Sequence, residues 1–116
     1  MIKLKSLISE NINNVRLTKE DSQELLHKIG TLCESPDMQE DYGISKEQCY
    51  FLFNSIPRNG GEWIFPEWST EVVRGEVEDH IIVLRHIASD AYNGGQTGQA
   101  LRINKQAKRL ERLFNL

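Results

Sequence analysis

Cysteine and proline are scarce in this chain, and long apolar runs are missing. Two cysteines and three prolines among 116 residues exclude a dense disulfide framework and a proline-stiffened extended spacer. No stretch approaches the ~18 apolar residues of a bilayer-spanning helix, and Met1-Ile2-Lys3-Leu4-Lys5 opens no apolar run of signal-peptide length. A soluble, cytoplasmic protein without a membrane partner is therefore expected. Cys33 and Cys49 each fall on the apolar side of a predicted helix and read as buried reduced thiols. A disulfide between them is geometrically allowed, but spacing alone does not show it. The motifs of several enzyme classes are missing too. There is no Gly-x-Ser-x-Gly, no clustered cysteine–histidine set, no internal repeat and no low-complexity tract. The glycine-rich stretch Asn93-Gly94-Gly95-Gln96-Thr97-Gly98 joins two predicted helices and lacks the lysine of a Walker motif. No cofactor, metal or catalytic residue is called for.

What is present fits one helical domain. The length lies in the usual range for a single core, and 39% apolar with 27% charged residues is ordinary for a globular chain. The net charge of −3 conceals a split. Between Glu34 and Asp90, twelve acidic residues face four basic ones; from Gly98 onward, five basic residues face only Glu111. Such polarity bears on steering and partner choice rather than fold.

The best-marked element runs from Ser69 to Tyr92. Val73, Val77, Ile81, Leu84, Ala88 and Ala91 fall within ~80° of one another at ~100° per residue, with Ile87 widening the stripe and Val83 and Val72 at its edge. A second helix opens at Thr18, whose hydroxyl can cap the amide three residues on, and closes before Pro36. A third runs from Ser45 to Ile56, where Ser45 and Gln48 form a capping box and Ile44 can staple onto Cys49. A fourth runs from about Gly98 to Phe114, with Ile103, Ala107, Leu110 and Phe114 on its apolar face. A shorter helical rhythm through Leu4, Leu7, Ile8, Asn11, Ile12 and Val15 supplies a fifth. Ser35 to Gly43 reads as an exposed loop. Arg58-Asn59-Gly60-Gly61 is a turn, and Glu62 to Phe65 can form a short extended piece or one arm of a hairpin near residues 58–66. The expected fold is mostly α: one five-helix domain over residues 1–116.

Several side-chain sets on this scaffold could carry chemistry. Glu76 and His80, one turn apart near the apolar arc, could tune each other as an acid–base pair, or serve simply as a hydrogen-bonded core histidine. Arg74 and His80, with five residues between, resemble the Arg-x4–6-His motif of the HEPN ribonucleases, small all-helical domains in which arginine and histidine serve RNA cleavage. Here Gly75 replaces the polar residue that usually follows the arginine, and an ideal helix turns the two side chains ~120° apart. Asp79, His86 and Asp90 share the solvent side, but the outer two lie more than ~16 Å apart at ~1.5 Å per residue, too far for one metal. Gly43-Ile44-Ser45 resembles the entry to a recognition helix, but about ten residues separate it from the preceding helix where a helix-turn-helix uses three or four.

Two surfaces remain. Trp63, Phe65 and Trp68, with Glu67 and Glu71 beside them, form an aromatic and acidic set suited to a protein interface, or else a lid on the core. Arg102, Lys105, Lys108, Arg109 and Arg112 form a basic stripe that could hold phosphates, an acidic protein, or the acidic middle of a second copy as a homodimer. The favoured expectation is a protein-binding module of the inhibitor, immunity, anti-defence or regulatory-subunit type. Nucleic-acid binding through the basic helix is the alternative, and a HEPN-like ribonuclease using Arg74 and His80 is the third.

Overall fold

A computed structural model describes residues 13–36 and 38–116. Its backbone divides between Glu76 and Val77 into two units, and one long helix runs through the division.

The first unit is built on a two-stranded ladder and three helices. Strand β1 (Asn14–Leu17) pairs antiparallel with β2 (Gly61–Ile64), placing Val15 opposite Trp63 and Asn14 opposite Ile64. Val15, Leu17 and Trp63 are buried, while Asn14, Arg16, Glu62 and Ile64 face out, the alternation a half-buried strand requires. The extended reading of residues 62–65 is borne out for β2, but its partner comes from far back in the chain. Val15, expected at the end of an amino-terminal helix, lies in a strand; the rest of that proposed helix falls outside the described residues. Asn13 anchors the ladder's end. Its carbonyl accepts the Phe65 amide at 3.1 Å, and its side-chain oxygen accepts the Thr70 hydroxyl at 2.9 Å.

Helix α1 (Lys19–Glu34) begins as its sequence directs. Thr18 accepts the Asp21 amide at 3.2 Å, and Asp21 returns the contact to the Thr18 amide. The residues from Ser35 to Gly43, expected to be an exposed loop, contain α2 (Met38–Tyr42), with Met38 buried at its start. Helix α3 (Lys46–Ser55) carries the expected box, with Gln48 donating to Ser45 at 3.1 Å and accepting from it at 2.8 Å. Cys33 of α1 and Cys49 of α3 are joined in a disulfide, their Cα atoms 5.5 Å apart. This corrects the expectation of two reduced thiols. Nearby, Glu34 accepts the Tyr50 hydroxyl and lies 3.9 Å from Lys46. The hydrogen bond to the Glu34 carboxylate holds the Tyr50 phenol protonated and pushes its pKa above the usual 10.0.

A 3-10 turn (Glu67–Ser69) leads into α4 (Thr70–Asn93). The Ser69 hydroxyl donates backward to the Pro66 carbonyl at 2.6 Å, and the Thr70 hydroxyl, 2.8 Å from the Glu67 carbonyl, shares its one hydrogen between that oxygen and Asn13. Within the first unit Tyr42 lies against α4 and donates to Glu76 at 3.1 Å. A Cβ on Gly75 would sit 2.7 Å from the Tyr42 hydroxyl oxygen. The glycine lets the Tyr42 hydroxyl lie close over a helix in which glycine costs about 1 kcal/mol against alanine, and any side chain there would displace the end of the Tyr42 ring.

The second unit comprises α4 from Val77 onward and α5 (Thr97–Leu113). Helix α4 ends in a Schellman motif. Gln96 donates to the Ala91 carbonyl at 2.8 Å and Gly95 to that of Tyr92 at 3.1 Å, with Gly95 at φ +84. Val77, Ile81, Leu84 and Ala88 of α4 are buried, as are Ala100, Ala107, Leu110 and Phe114. Arg85 of α4 pairs with Glu111 of α5. The mostly helical class is borne out, with five helices among the described residues.

Candidate interaction surface

The aromatic set is divided by β2. Trp63 alternates inward and is fully buried; its indole N–H donates to the Ser55 hydroxyl at 2.9 Å, and that hydroxyl donates onward to the Leu52 carbonyl at 2.6 Å. Phe65 is also buried, its ring centroid 4.6 Å from that of Trp63. These two residues belong to the core of the first unit, which corrects their placement on a partner-binding surface. Trp68 is 42% exposed, with Glu67 and Glu71 exposed beside it in sequence. What remains of the acidic edge is one half-covered indole and two carboxylates.

The candidate acid–base groups are occupied or covered. Glu76 is half-buried and accepts from Tyr42, while His80 is buried. Arg74 is half-buried. Among the described residues no three His, Cys, Asp or Glu side chains come together as a metal-holding group, and no helix is long and apolar enough to cross a membrane.

The second unit presents a larger outer surface. On α4 the apolar stripe is narrower than expected. Ile87, read as widening the buried face, and Val83, read at its edge, are 46% and 45% exposed, and Ile82 is 55% exposed. Three β-branched side chains thus meet solvent within six residues of one helix. Glu78, Asp79, His86 and Asp90 are exposed around them. On α5, Arg102, Lys105, Lys108 and Arg112 are exposed and Arg109 is half-buried. The first four form no ion pair among the described residues. Leu101, 66% exposed, heads this stripe. Sequence reasoning had no reason to single out Ile82 or Leu101. Their signal is weak: an aliphatic residue on the polar side of an otherwise amphipathic helix. Comparison with known proteins finds no family model, no curated protein and no solved structure that matches this chain.

Proposed function

We propose that this protein acts by binding a protein partner, as small inhibitors and regulatory subunits do, and that the Ile82–Val83–Ile87 face of α4 is the contact. One observation carries the reading. Ile82, Val83 and Ile87 are each about half exposed on the outer side of a helix whose other face is already buried, with Val83 and Ile87 one turn apart and Ile82 at the far edge of that side. Clustered apolar exposure of this kind marks interaction sites, whereas scattered single residues do not. Covering the three completes burial worth on the order of several kcal/mol. Asp79, His86 and Asp90 fall between Ile82 and Ile87 around the helix, so the face is aliphatic at its edges and acidic along its middle, and it suits a partner surface that is itself mixed.

The test is a tagged pull-down from host lysate after nuclease treatment, comparing the natural chain with Ile82→Asp/Ile87→Asp. The expected result is a stoichiometric protein band that weakens at least ~10-fold in the variant, about 1.4 kcal/mol or more, while far-UV circular dichroism is unchanged. A band that ignores the substitution overturns the assignment.

The exposed cations of α5 favour a second reading, binding to nucleic acid. Four phosphate contacts predict a log–log salt slope of roughly −3 to −4. Recovery that requires intact RNA or DNA, with such a slope, puts this reading first. The ribonuclease reading on Arg74 and His80 falls if RNA turnover is absent or survives His80→Ala.

A further inference from the structure

The aliphatic face of α4 lies in an acidic setting, and its counterpart is encoded in the same chain. On α4, Asp79, Val83, His86 and Asp90 recur at spacings of four, three and four, with Ile82 and Ile87 at the flanks. On α5, Leu101, Lys105, Lys108 and Arg112 recur at the same spacings, within ~60° of one another. Both stripes are ~16 Å long at ~1.5 Å per residue. They oppose each other in charge, and both offer apolar material: aliphatic side chains on α4, Leu101 and the methylene stems of the lysines on α5.

Within one molecule these stripes do not meet. The side of α4 directed at α5 bears Arg85, which pairs with Glu111. By helical rotation Arg85 lies ~130° from the middle of the acidic stripe, and Glu111 lies ~90° from the middle of the basic one. Ile82, Ile87 and Leu101 remain exposed accordingly. Complementary surfaces that cannot satisfy each other in one chain can do so between chains.

Resting on the reading of α4 as the contact face, we propose that its partner is a second copy of this chain: the acidic, aliphatic stripe of α4 receives the Leu101–Arg112 stripe of α5. Because the two surfaces differ, two copies either exchange both contacts in a closed two-fold dimer or make one contact head-to-tail, each copy then keeping one donor and one acceptor surface. Head-to-tail assembly proceeds to a ring where the rotation closes and to a chain where it does not. Two single-helix stripes bury less than a standard interface, so the assembly forms with concentration and weakens with salt.

Sedimentation equilibrium from about 10 µM to about 1 mM tests this, at low salt and at about 0.5 M salt. The expected result is a mass that rises with concentration at low salt and returns toward the monomer at high salt. Ile82→Lys/Ile87→Lys blocks one surface and Lys105→Glu/Lys108→Glu the other; each variant alone is expected to be monomeric with unchanged circular dichroism. Mixed one to one, each variant still offers the surface the other lacks, so the mixture forms dimers and nothing larger. A natural chain that stays monomeric throughout overturns the proposal without any variant. So does association that ignores both pairs of substitutions, or a mixture that stays monomeric. If the natural chain is monomeric while Ile82→Asp/Ile87→Asp still abolishes capture of a host protein, the contact face stands and only the second copy is removed.

Discussion

At the scale of single residues, the two tryptophans show how one turn of backbone separates structure from surface. Trp63 sits on the inner side of β2, opposite Val15, with its one polar atom satisfied by Ser55. Aromatic residues with a polar tip are accepted in a core on this condition. Trp68 lies past Pro66 in a 3-10 turn and keeps much of its ring in water. Trp63→Ala is therefore expected to cost about 3–5 kcal/mol through lost burial and the cavity left behind. Trp68→Ala is expected to stay within about 1 kcal/mol. Urea unfolding of the two variants followed by circular dichroism checks this; equal losses would show that both rings are structural. Sequence placed both rings in one cluster because three large aromatics within six residues carry no mark of which side each takes. That distinction needs β1, whose four residues lie far from β2 along the chain.

At the scale of elements, the disulfide is the strongest local constraint in the first unit. It ties α1 to α3 across 16 residues. In the chain-entropy account, closing a loop of that size stabilises the fold by about 3 kcal/mol. Reduction, or Cys33→Ser with Cys49→Ser, is expected to lower the unfolding free energy by about that amount. A thiol assay on the unfolded, unreduced protein should find no free sulfhydryl; two free thiols and no effect of reductant would remove the cross-link.

The cysteine pairing was not legible in sequence, because helical periodicity places each sulfur on an apolar face without fixing the distance between the helices. The capping boxes at Thr18 and Ser45 were legible, since a cap depends on residues three positions apart. The short helix Met38–Tyr42 was not. Five residues are too few to show a period, and the feature that marks its docking lies elsewhere, in the missing side chain of Gly75. The stripe of α4 was legible at its centre, through Val77, Ile81, Leu84 and Ala88. Its edge at Val83 and Ile87 was not, because tertiary partners decide how wide a buried arc becomes.

At the scale of the whole molecule, the two units differ in what holds each together. Residues 13–76 have a strand ladder, a disulfide and a buried tryptophan hydrogen-bonded to a neighbouring helix. Residues 77–116 have two helix segments with Val77, Ile81, Leu84, Ala107, Leu110 and Phe114 buried, a Schellman turn and an ion pair between Arg85 and Glu111, with no strand ladder or disulfide among them. Helices of this length are marginal without packing, and an exposed pair contributes at most about 1 kcal/mol. The amides of α5 are therefore expected to exchange through an opening of lower free energy than those of α1 and α3 in dilute solution. Hydrogen exchange followed by mass spectrometry resolves the order. Reduction of the disulfide should raise exchange in α1 and α3 without first changing α5. If α5 proves as protected as α1 when dilute, its stability does not depend on concentration. If protection rises in both 78–90 and 101–113 as the protein is concentrated, the charged stripes that solvate the monomer are the surfaces that hold copies together.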